Sequence, residues 1–217
     1  MFGLKSLFTK DNAEEVSKAP EIIGLRLNGA FELDDLKLKL IEPELVFEGA
    51  ARTQFIQAVG EVKLDQTTTV LRFYTDDDGF IQILVNGSLD EQNIDDVKLW
   101  YFYQTQSVAS QQEWDKVLNS VISQPHFELE GRRFERIWAS AGDNSPPIAM
   151  TEKTYTDGDK KTQTDQFVML YGRQVSADLD EFLLLAGEEK IIDNRADRCL
   201  VISTGINLRP ADITIIG

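Results

Sequence analysis

The amino-acid sequence predicts an α+β fold, a mostly antiparallel β-sheet with one or two helices packed on it. The first observation is the segment Leu71–Asn86, where two runs of bulky β-forming residues flank an acidic turn that ends in Asp78-Gly79. This is a strong hairpin signal, and it places the hairpin near the middle of a sheet. The second is a series of about ten strand-like runs separated by turn residues. The third is one strong helical pattern, over Ser110–Ile122.

The first predicted element follows Asp34, a residue type that caps helices at their N-termini. Apolar residues recur at helical spacing around Asp34, with Leu33 directly before it and Leu36, Leu40 and Ile41 after it. Alternating leucines between positions 36 and 40 would also suit a strand, so both interpretations stay open. Pro43 ends the element in either case.

Strand-like runs fill the region between this element and the helical pattern. They are Leu45–Phe47, Phe55–Leu64, Thr68–Tyr74, Phe80–Val85 and Val97–Tyr103. Both faces of Phe80–Val85 are mostly apolar, which predicts a strand that is covered on both sides.

The helix predicted over Ser110–Ile122 has one apolar stripe and a recognisable start. Ser110 and Glu113 have the spacing of a capping box, in which each side chain bonds the backbone N–H of the other residue. Pro125 marks the exit from the helix. The next segment, Phe127–Trp138, predicts a second hairpin that turns at Glu130-Gly131.

The last third of the chain predicts four more strands: Ile148–Thr156, Gln166–Val175, Glu181–Ala186 and Leu200–Asn207. A short apolar tail, Ile213–Ile216, follows them. We expect residues 1–20 to form a flexible or amphipathic segment and residues 21–217 to form a single β-rich domain. The polar break Asp143–Pro147 is the best internal boundary, either a loop or a junction between two subdomains.

Composition narrows the function classes. Asp and Glu number 37 against 22 Lys and Arg, a formal net charge of −15. This balance argues against nucleic acid as a partner, because phosphate binding needs a basic surface. The single cysteine, Cys199, allows no intrachain disulfide and fits a reducing cytoplasm. Since it lies in an apolar run, we expect a buried and inert thiol.

The segment Met1–Lys10 differs in charge from the rest, with two lysines and no acid. Its large apolar side chains can share one broad helical face and are Phe2, Leu4, Leu7 and Phe8. We expect this face to contact a protein partner or the surface of a membrane. The alternative is a frayed tail or a strap packed on the domain.

The acidic turn supplies a candidate ligand or cation site at Asp76, Asp77 and Asp78. An EF-hand register fails here, because it would put Tyr74 at the first ligand position and Val85 at the twelfth. Three adjacent carboxylates could still hold a hard cation, and the alternative is that they stabilise the turn. The sequence shows no constellation that defines a catalytic site, a metal centre or a cofactor site, so none of these is expected.

Two further features bear on ligand binding. Trp100-Tyr101-Phe102-Tyr103 places aromatic side chains on alternating faces of one strand, which suits either a ligand pocket or a core. Glu152 interrupts a strand-like run. Such a residue can serve as a general base, but it is more often on the solvated face of a sheet.

The chain resembles the YjfK-like family of bacterial proteins, a domain of unknown function. The resemblance lies in RFYTDDDGF (Arg72–Phe80), DDVKLWYFY (Asp95–Tyr103), EWD (Glu113–Asp115), FELEGRRFERIW (Phe127–Trp138) and STGINLRPADI (Ser203–Ile213). It implies no activity and no catalytic residues. Family members look cytoplasmic and tend to be encoded beside phage-shock-type membrane-stress proteins, small membrane proteins and ATP-grasp ligases. This context implies an accessory role at a membrane.

The sequence therefore leads to two hypotheses. The first is a non-enzymatic accessory or adaptor protein of a membrane-associated stress or modification system. It would have a protein partner, would be cytoplasmic and would contact the inner membrane peripherally. The second is an enzyme or small-ligand-binding protein that uses acidic and aromatic residues, and convergence of those side chains in one pocket would favour it.

Overall fold

A computed structural model describes residues 18–47, 49–138, 144–158 and 160–216. Over these ranges the chain is built mainly from β-strands. The strands are β1 (Ala30–Leu33), β2 (Thr53–Lys63), β3 (Thr68–Thr75), β4 (Gly79–Asn86), β5 (Ile94–Ser107), β6 (His126–Leu129), β7 (Arg132–Arg136), β8 (Ile148–Thr156), β9 (Lys160–Ser176), β10 (Leu179–Ile192), β11 (Arg195–Asn207) and β12 (Ile213–Ile216). The α-helices are α1 (Asp35–Ile41) and α2 (Gln111–Lys116). Single helical turns complete the described elements: Glu42–Glu44, Glu91–Asn93, Val117–Val121 and Pro210–Asp212.

Eight of the strands close into an antiparallel barrel. Hydrogen-bonded neighbours run in the order β2-β3-β4-β5-β11-β10-β9-β8, and β8 pairs in turn with β2. Two ladders between distant parts of the chain complete the ring. One joins β5 to β11, and the other joins β2 to β8. Closure pairs the backbone of every barrel strand on both sides, which leaves no exposed edge in the ring.

The remaining strands extend the barrel wall on its outside. β1 pairs with β2 and with β12, so the apolar tail of the chain joins the sheet next to the first strand. The hairpin of β6 and β7 attaches to β9 through two residue pairs.

The predicted α+β fold is wrong, because the sheet closes on itself and helices are a minor component of the described chain. The largest helical element expected, Ser110–Ile122, contains an α-helix only over Gln111–Lys116 and continues as a π-helical turn. The sequence pattern predicts which neighbouring strands pair, but it does not predict that the sheet closes into a barrel. Closure depends on the β2–β8 ladder, which joins residues about ninety positions apart. Closure buries the inner face of each barrel strand, and much of the outer face is covered by chain segments packed against it.

Two clusters of buried apolar side chains cover the outside of the barrel. The first packs the segment before β2, including Leu25, Phe31 and Phe47, on the outer faces of β3, β4 and β5. The second packs α2 and the β6–β7 hairpin, with Trp114 and Phe134, on the outer faces of β9, β10 and β11. Much of the outer surface of the barrel wall is therefore apolar and is covered by other parts of the chain.

Both predicted hairpins are confirmed. β3 and β4 pair from Thr68↔Asn86 to Tyr74↔Phe80, and β6 and β7 turn at Glu130-Gly131. Asp78, Glu130 and Gly131 have positive φ angles of 50°, 51° and 69°, the backbone that such tight turns require. The expectation that Phe80–Val85 is covered on both faces is also confirmed, because one face lies inside the barrel.

The helix alternative for the element after Asp34 is confirmed. The Asp34 carboxylate accepts a hydrogen bond from the Lys37 backbone N–H at 3.1 Å, as an N-cap does. Leu38 is the buried apolar residue of α1, whereas Leu36 and Leu40 are 71% and 72% exposed. The strand predicted at Leu45–Phe47 is wrong, since this segment is irregular and contributes side chains to the outer core.

The capping box at the start of α2 is confirmed. Ser110 Oγ accepts from the Glu113 N–H at 3.2 Å, and the Glu113 carboxylate accepts from the Ser110 N–H at 3.2 Å. The break predicted at residues 143–147 lies between β7 and β8. Strands from both sides of this break pair with each other in the barrel. None of the helices in the described ranges is both long enough and apolar enough to cross a membrane.

Candidate functional site

The interior of the barrel is the candidate functional site. Because side chains alternate across a strand, each barrel strand sends every second residue inward. The buried apolar part of the interior is formed by Phe80, Trp100, Val168, Phe182, Leu184, Ala186 and Val201. Polar side chains are buried between them, and they divide the interior into two cavities.

Arg72 lies at the centre of this polar group. Its Nη1 donates to Glu152 Oε2 at 2.6 Å and to Gln166 Oε1 at 2.7 Å, and its Nε donates to Gln82 Oε1 at 3.0 Å. The side chains of Arg72 and Glu152 are 5% and 4% exposed. A buried ion pair of this kind is stable only when further hydrogen bonds satisfy its remaining atoms, as they do here.

Glu152 has a second set of partners on the other side of its carboxylate. The Tyr74 hydroxyl donates to it at 2.9 Å, and Thr154 Oγ1 donates to its Oε1 at 3.0 Å. Gly60 provides the space, since a Cβ at that position would lie 2.6 Å from Glu152 Oε1. Burial raises the pKa of the Tyr74 hydroxyl well above its ordinary value, and the Glu152 carboxylate adds to the shift. Tyr74 is therefore a hydrogen-bond donor at neutral pH.

The first cavity, which we call the polar cavity, has a volume of about 370 Å³ and opens at one end of the barrel. All eight barrel strands contribute to its wall. Glu188 lies in this wall and accepts a hydrogen bond from Gln166 Nε2 at 3.0 Å. Burial raises the pKa of the Glu188 carboxyl, and the nearby Glu152 carboxylate raises it further.

Cys199 also lies in the wall of the polar cavity. It is partly buried, and burial raises the pKa of its thiol to about 11, with the Glu188 and Asp197 carboxylates adding to the effect. The thiol is therefore protonated at neutral pH, and the expectation of an inert thiol agrees with this environment.

The second cavity, which we call the apolar cavity, has a volume of about 490 Å³ and lies toward the other end of the barrel. Arg72 and Leu184 line both cavities and so separate them. The apolar part of the wall includes Val70, Leu84, Trp100, Trp138, Met150, Val168 and Leu170. Trp100 is fully buried, and its indole N–H has no hydrogen-bond partner among the described residues. Buried polar groups without a partner are uncommon in folded proteins.

Charged groups occupy one part of the apolar cavity. Lys98, which is 8% exposed, forms an ion pair with Asp96 at 2.5 Å, and both residues line the cavity. The Lys98 ammonium also lies 4.7 Å from the centre of the Phe182 ring, a cation–π contact. The cavity thus combines a large apolar wall with a localised cation.

The predicted site at Asp76, Asp77 and Asp78 lies outside the barrel interior, in the turn between β3 and β4. Asp76 accepts from the Phe55 backbone N–H at 2.8 Å, and Asp77 accepts from the Ala51 N–H at 2.7 Å. These bonds attach the turn to the start of β2. Within the described ranges, no group of three or more His, Cys, Asp or Glu side chains is arranged to hold a metal ion.

The other residues selected from the sequence lie in different places. Phe2, Leu4, Leu7 and Phe8 lie outside the described residues. Trp100 and Phe102 point into the barrel, whereas Tyr101 points outward, so the predicted alternation of the aromatic strand is confirmed. The expectation that Glu152 lies on a solvated face is wrong, because the face that it occupies is the barrel interior. Acidic and aromatic side chains therefore converge inside the barrel, but Asp76, Asp77 and Asp78 are not among them.

Sequence reasoning missed Arg72, Gln166 and Glu188 as members of this site. Arg72 is a polar residue between two large apolar ones, Leu71 and Phe73, whereas Gln166 follows Asp165 and Glu188 precedes Glu189, so these two stand in no such pattern. In an open sheet this pattern marks the solvated face, and in a closed barrel it marks the interior. For Arg72 this pattern was present in the sequence, but whether it marks a solvated surface or the interior of a barrel depends on closure of the sheet.

Comparisons with known proteins agree with the family resemblance. A family described as "Protein of unknown function (DUF2491)" matches residues 1–214. The chain is 32% identical over 189 residues to the "Uncharacterized protein YjfK" of Escherichia coli (strain K12), and the alignment covers 86% of this chain and 85% of that protein. No solved structure matches the chain. The predicted resemblance to the YjfK-like family is confirmed, and the chain belongs to the DUF2491 family of proteins of unknown function.

Proposed function

We propose that this protein binds a small amphipathic molecule inside its barrel, with the apolar part of the ligand in the apolar cavity. The observation that carries the proposal is a cavity of about 490 Å³ with a mainly apolar wall, partly open to solvent. Ligand pockets for small molecules are typically concave, mostly apolar and of roughly 300–1,000 Å³. Eight-stranded barrels are wide enough either to be filled by side chains or to hold one small ligand.

The polar groups in the wall indicate the chemistry of the ligand. The Trp100 indole N–H is a buried donor without a partner in the described structure, and an oxygen atom of a ligand would satisfy it. Lys98 offers a cation beside the apolar wall, although Asp96 already pairs with it. A molecule with an apolar body and an anionic or oxygen-bearing end fits both features.

The test is a binding titration with anilinonaphthalene sulfonate, a fluorescent probe with an apolar ring system and one anionic group. We expect saturable binding to the folded protein. Replacing Leu84 by tryptophan should reduce the affinity by at least about tenfold, because the larger ring fills the cavity that Leu84 lines.

The matched control is Leu36→Trp, the same substitution on the outer surface of α1, which should change the affinity by less than about twofold. Circular dichroism checks that both variants are folded. Equal affinity of the two variants, or no saturable binding to the unmodified protein, would contradict the proposal.

A second candidate function is the accessory or adaptor role, with a protein partner and peripheral contact with the inner membrane from the cytoplasm. The proposal is supported by Leu36 and Leu40, which lie one helical turn apart and are largely exposed. The predicted contact residues Phe2, Leu4, Leu7 and Phe8 would extend such a surface.

The adaptor role is tested by an affinity pull-down from a native lysate that includes membranes. The full chain is compared with a version that lacks Met1–Lys10. We expect specific membrane proteins to be recovered by the full chain alone. Equal recovery by both versions would place the contact on the folded domain, and recovery of nothing specific by either would contradict the adaptor role.

A further inference from the structure

The polar cavity contains a carboxylate that the internal ion pair does not use. Glu152 is neutralised by Arg72, whereas Glu188 accepts one hydrogen bond from the neutral amide of Gln166. No ion pair to Glu188 is present among the described residues. Lys190 also lines the cavity, but it is exposed at the mouth and makes no ion pair with Glu188 there. The wall of the polar cavity therefore contains a carboxylate with no directly paired cation, since Arg72 and Lys190 act on Glu188 only at longer range.

Aromatic rings lie in the wall of the same cavity. Tyr74, Phe80 and Phe102 form a contiguous group, with ring centres 5.1 Å apart for Tyr74–Phe80 and 5.5 Å apart for Phe80–Phe102. The Arg72 guanidinium already lies 5.7 Å from the centre of the Phe80 ring. The aromatic group thus accommodates one cation, and it has further ring surface facing the cavity.

The arrangement of charges in the wall of the polar cavity disfavours binding of an anion. Arg72, the buried cation in the wall of the polar cavity, is engaged by Glu152, Gln166 and Gln82, and two carboxylates line the space that an anion would enter. A metal ion is also disfavoured, because no group of three or more His, Cys, Asp or Glu side chains in the described ranges is arranged to hold one. A carboxylate together with several ring faces is the combination that recognises an organic cation.

We propose that the polar cavity binds a small organic cation, an alkylammonium or quaternary ammonium compound, with its charge between Glu188 and the rings of Tyr74, Phe80 and Phe102. The cavity volume of about 370 Å³ accommodates such a molecule. This site is separate from the apolar cavity, from which Arg72 and Leu184 divide it.

The experiment is isothermal titration calorimetry of the full chain with choline and with butylammonium. Dimethylbutanol, the uncharged carbon isostere of choline, is the control ligand, and it should bind at least about tenfold more weakly than choline. Replacing Glu188 by glutamine keeps the side-chain size and should weaken choline binding by about tenfold or more.

The matched control is Glu189→Gln, the neighbouring residue on the opposite face of β10, where its carboxylate pairs with Arg198 outside the barrel. It changes the net charge by the same amount and should alter choline affinity by less than about twofold. A second test variant is Phe102→Leu, at a partly exposed position. It removes one aromatic ring from the wall and should weaken choline binding by about threefold or more.

Three results would overturn the inference. They are no binding of either cation at millimolar concentration, equal binding of choline and dimethylbutanol, and equal effects of the two glutamine substitutions. Loss of cation binding in Glu188→Gln with retained binding of anilinonaphthalene sulfonate is the expected result, and it separates this site from the apolar cavity.

Discussion

Replacing Arg72 by methionine is expected to lower the free energy of unfolding by about 3–5 kcal/mol, the range found when one partner of a buried ion pair is removed. The substitution keeps most of the side-chain length but removes the charge that neutralises Glu152. The Glu152 carboxylate would then stay buried beside Glu188, with hydrogen bonds from Tyr74 and Thr154 but no cation at 2.6 Å. Urea unfolding followed by circular dichroism measures the change.

The matched control is Arg52→Met. Arg52 pairs with Glu32 at 2.9 Å, but the two side chains are 64% and 30% exposed. Surface pairs of this kind contribute about 0–1 kcal/mol, so the control variant should lose little stability. The double variant Arg72→Met/Glu152→Gln should recover part of the loss of Arg72→Met, because no uncompensated charge stays at position 152. Similar losses in the two arginine variants would contradict the role given to the buried pair.

The same pair matters for the two proposed binding sites. Arg72 lines both cavities, so its side chain and that of Leu184 form the partition between a space suited to an apolar ligand and a space suited to a cation. Since the guanidinium is charged at all accessible pH values, the partition is charged throughout the physiological range. We expect ligands to occupy one side or the other, not to pass through the barrel.

Local elements of this fold were predictable because their causes are local. Asp78-Gly79 and Glu130-Gly131 mark turns that need positive φ angles, and the structure has hairpins at both places. The strand expected at Ile148–Thr156 has those same bounds in the structure. Each of these predictions depends on a few consecutive residues, where turn chemistry and alternation decide the backbone.

Closure of the barrel was not predictable in this way. It depends on the β2–β8 ladder, which pairs Gly60 with Thr154 across a long stretch of sequence. Alternation shows that a strand has two different faces, but it does not show whether the polar face meets water or the interior of a barrel. This ambiguity explains why Glu152 was expected on a solvated surface and why Arg72 was overlooked.

The candidate site was accordingly predicted in part. Trp100 and Glu152 were selected as aromatic and acidic candidates, and both belong to the barrel interior. Asp76–Asp78 attracted attention as a dense acidic run, but two of these carboxylates accept backbone hydrogen bonds that attach a turn to β2. Arg72, an isolated polar residue within an apolar strand, is therefore a better guide to this site than the dense acidic run at Asp76–Asp78.

Replacing Gly60 by alanine is expected to lower the free energy of unfolding by about 3 kcal/mol, from overpacking and from weakened bonds to a charged group. Gly60 lies opposite Arg72 on one neighbouring strand and opposite Thr154 on the other. A Cβ at this position would lie 2.6 Å from Glu152 Oε1 and 2.7 Å from its Cδ. The carboxylate would have to move, and it is held by Arg72, Tyr74 and Thr154, so movement weakens the ion pair at the centre of the barrel.

A double-mutant cycle separates this cause from a general intolerance of β2. Glu152→Ala should be destabilising by itself, because it leaves Arg72 buried without its carboxylate partner. In that background Gly60→Ala should cost less than about 1 kcal/mol, since the atoms with which its Cβ collides are gone. Urea unfolding of the four proteins gives the coupling energy. An undiminished cost of Gly60→Ala in the Glu152→Ala background would show that the backbone of β2, and not the position of the Glu152 carboxylate, requires glycine at this site.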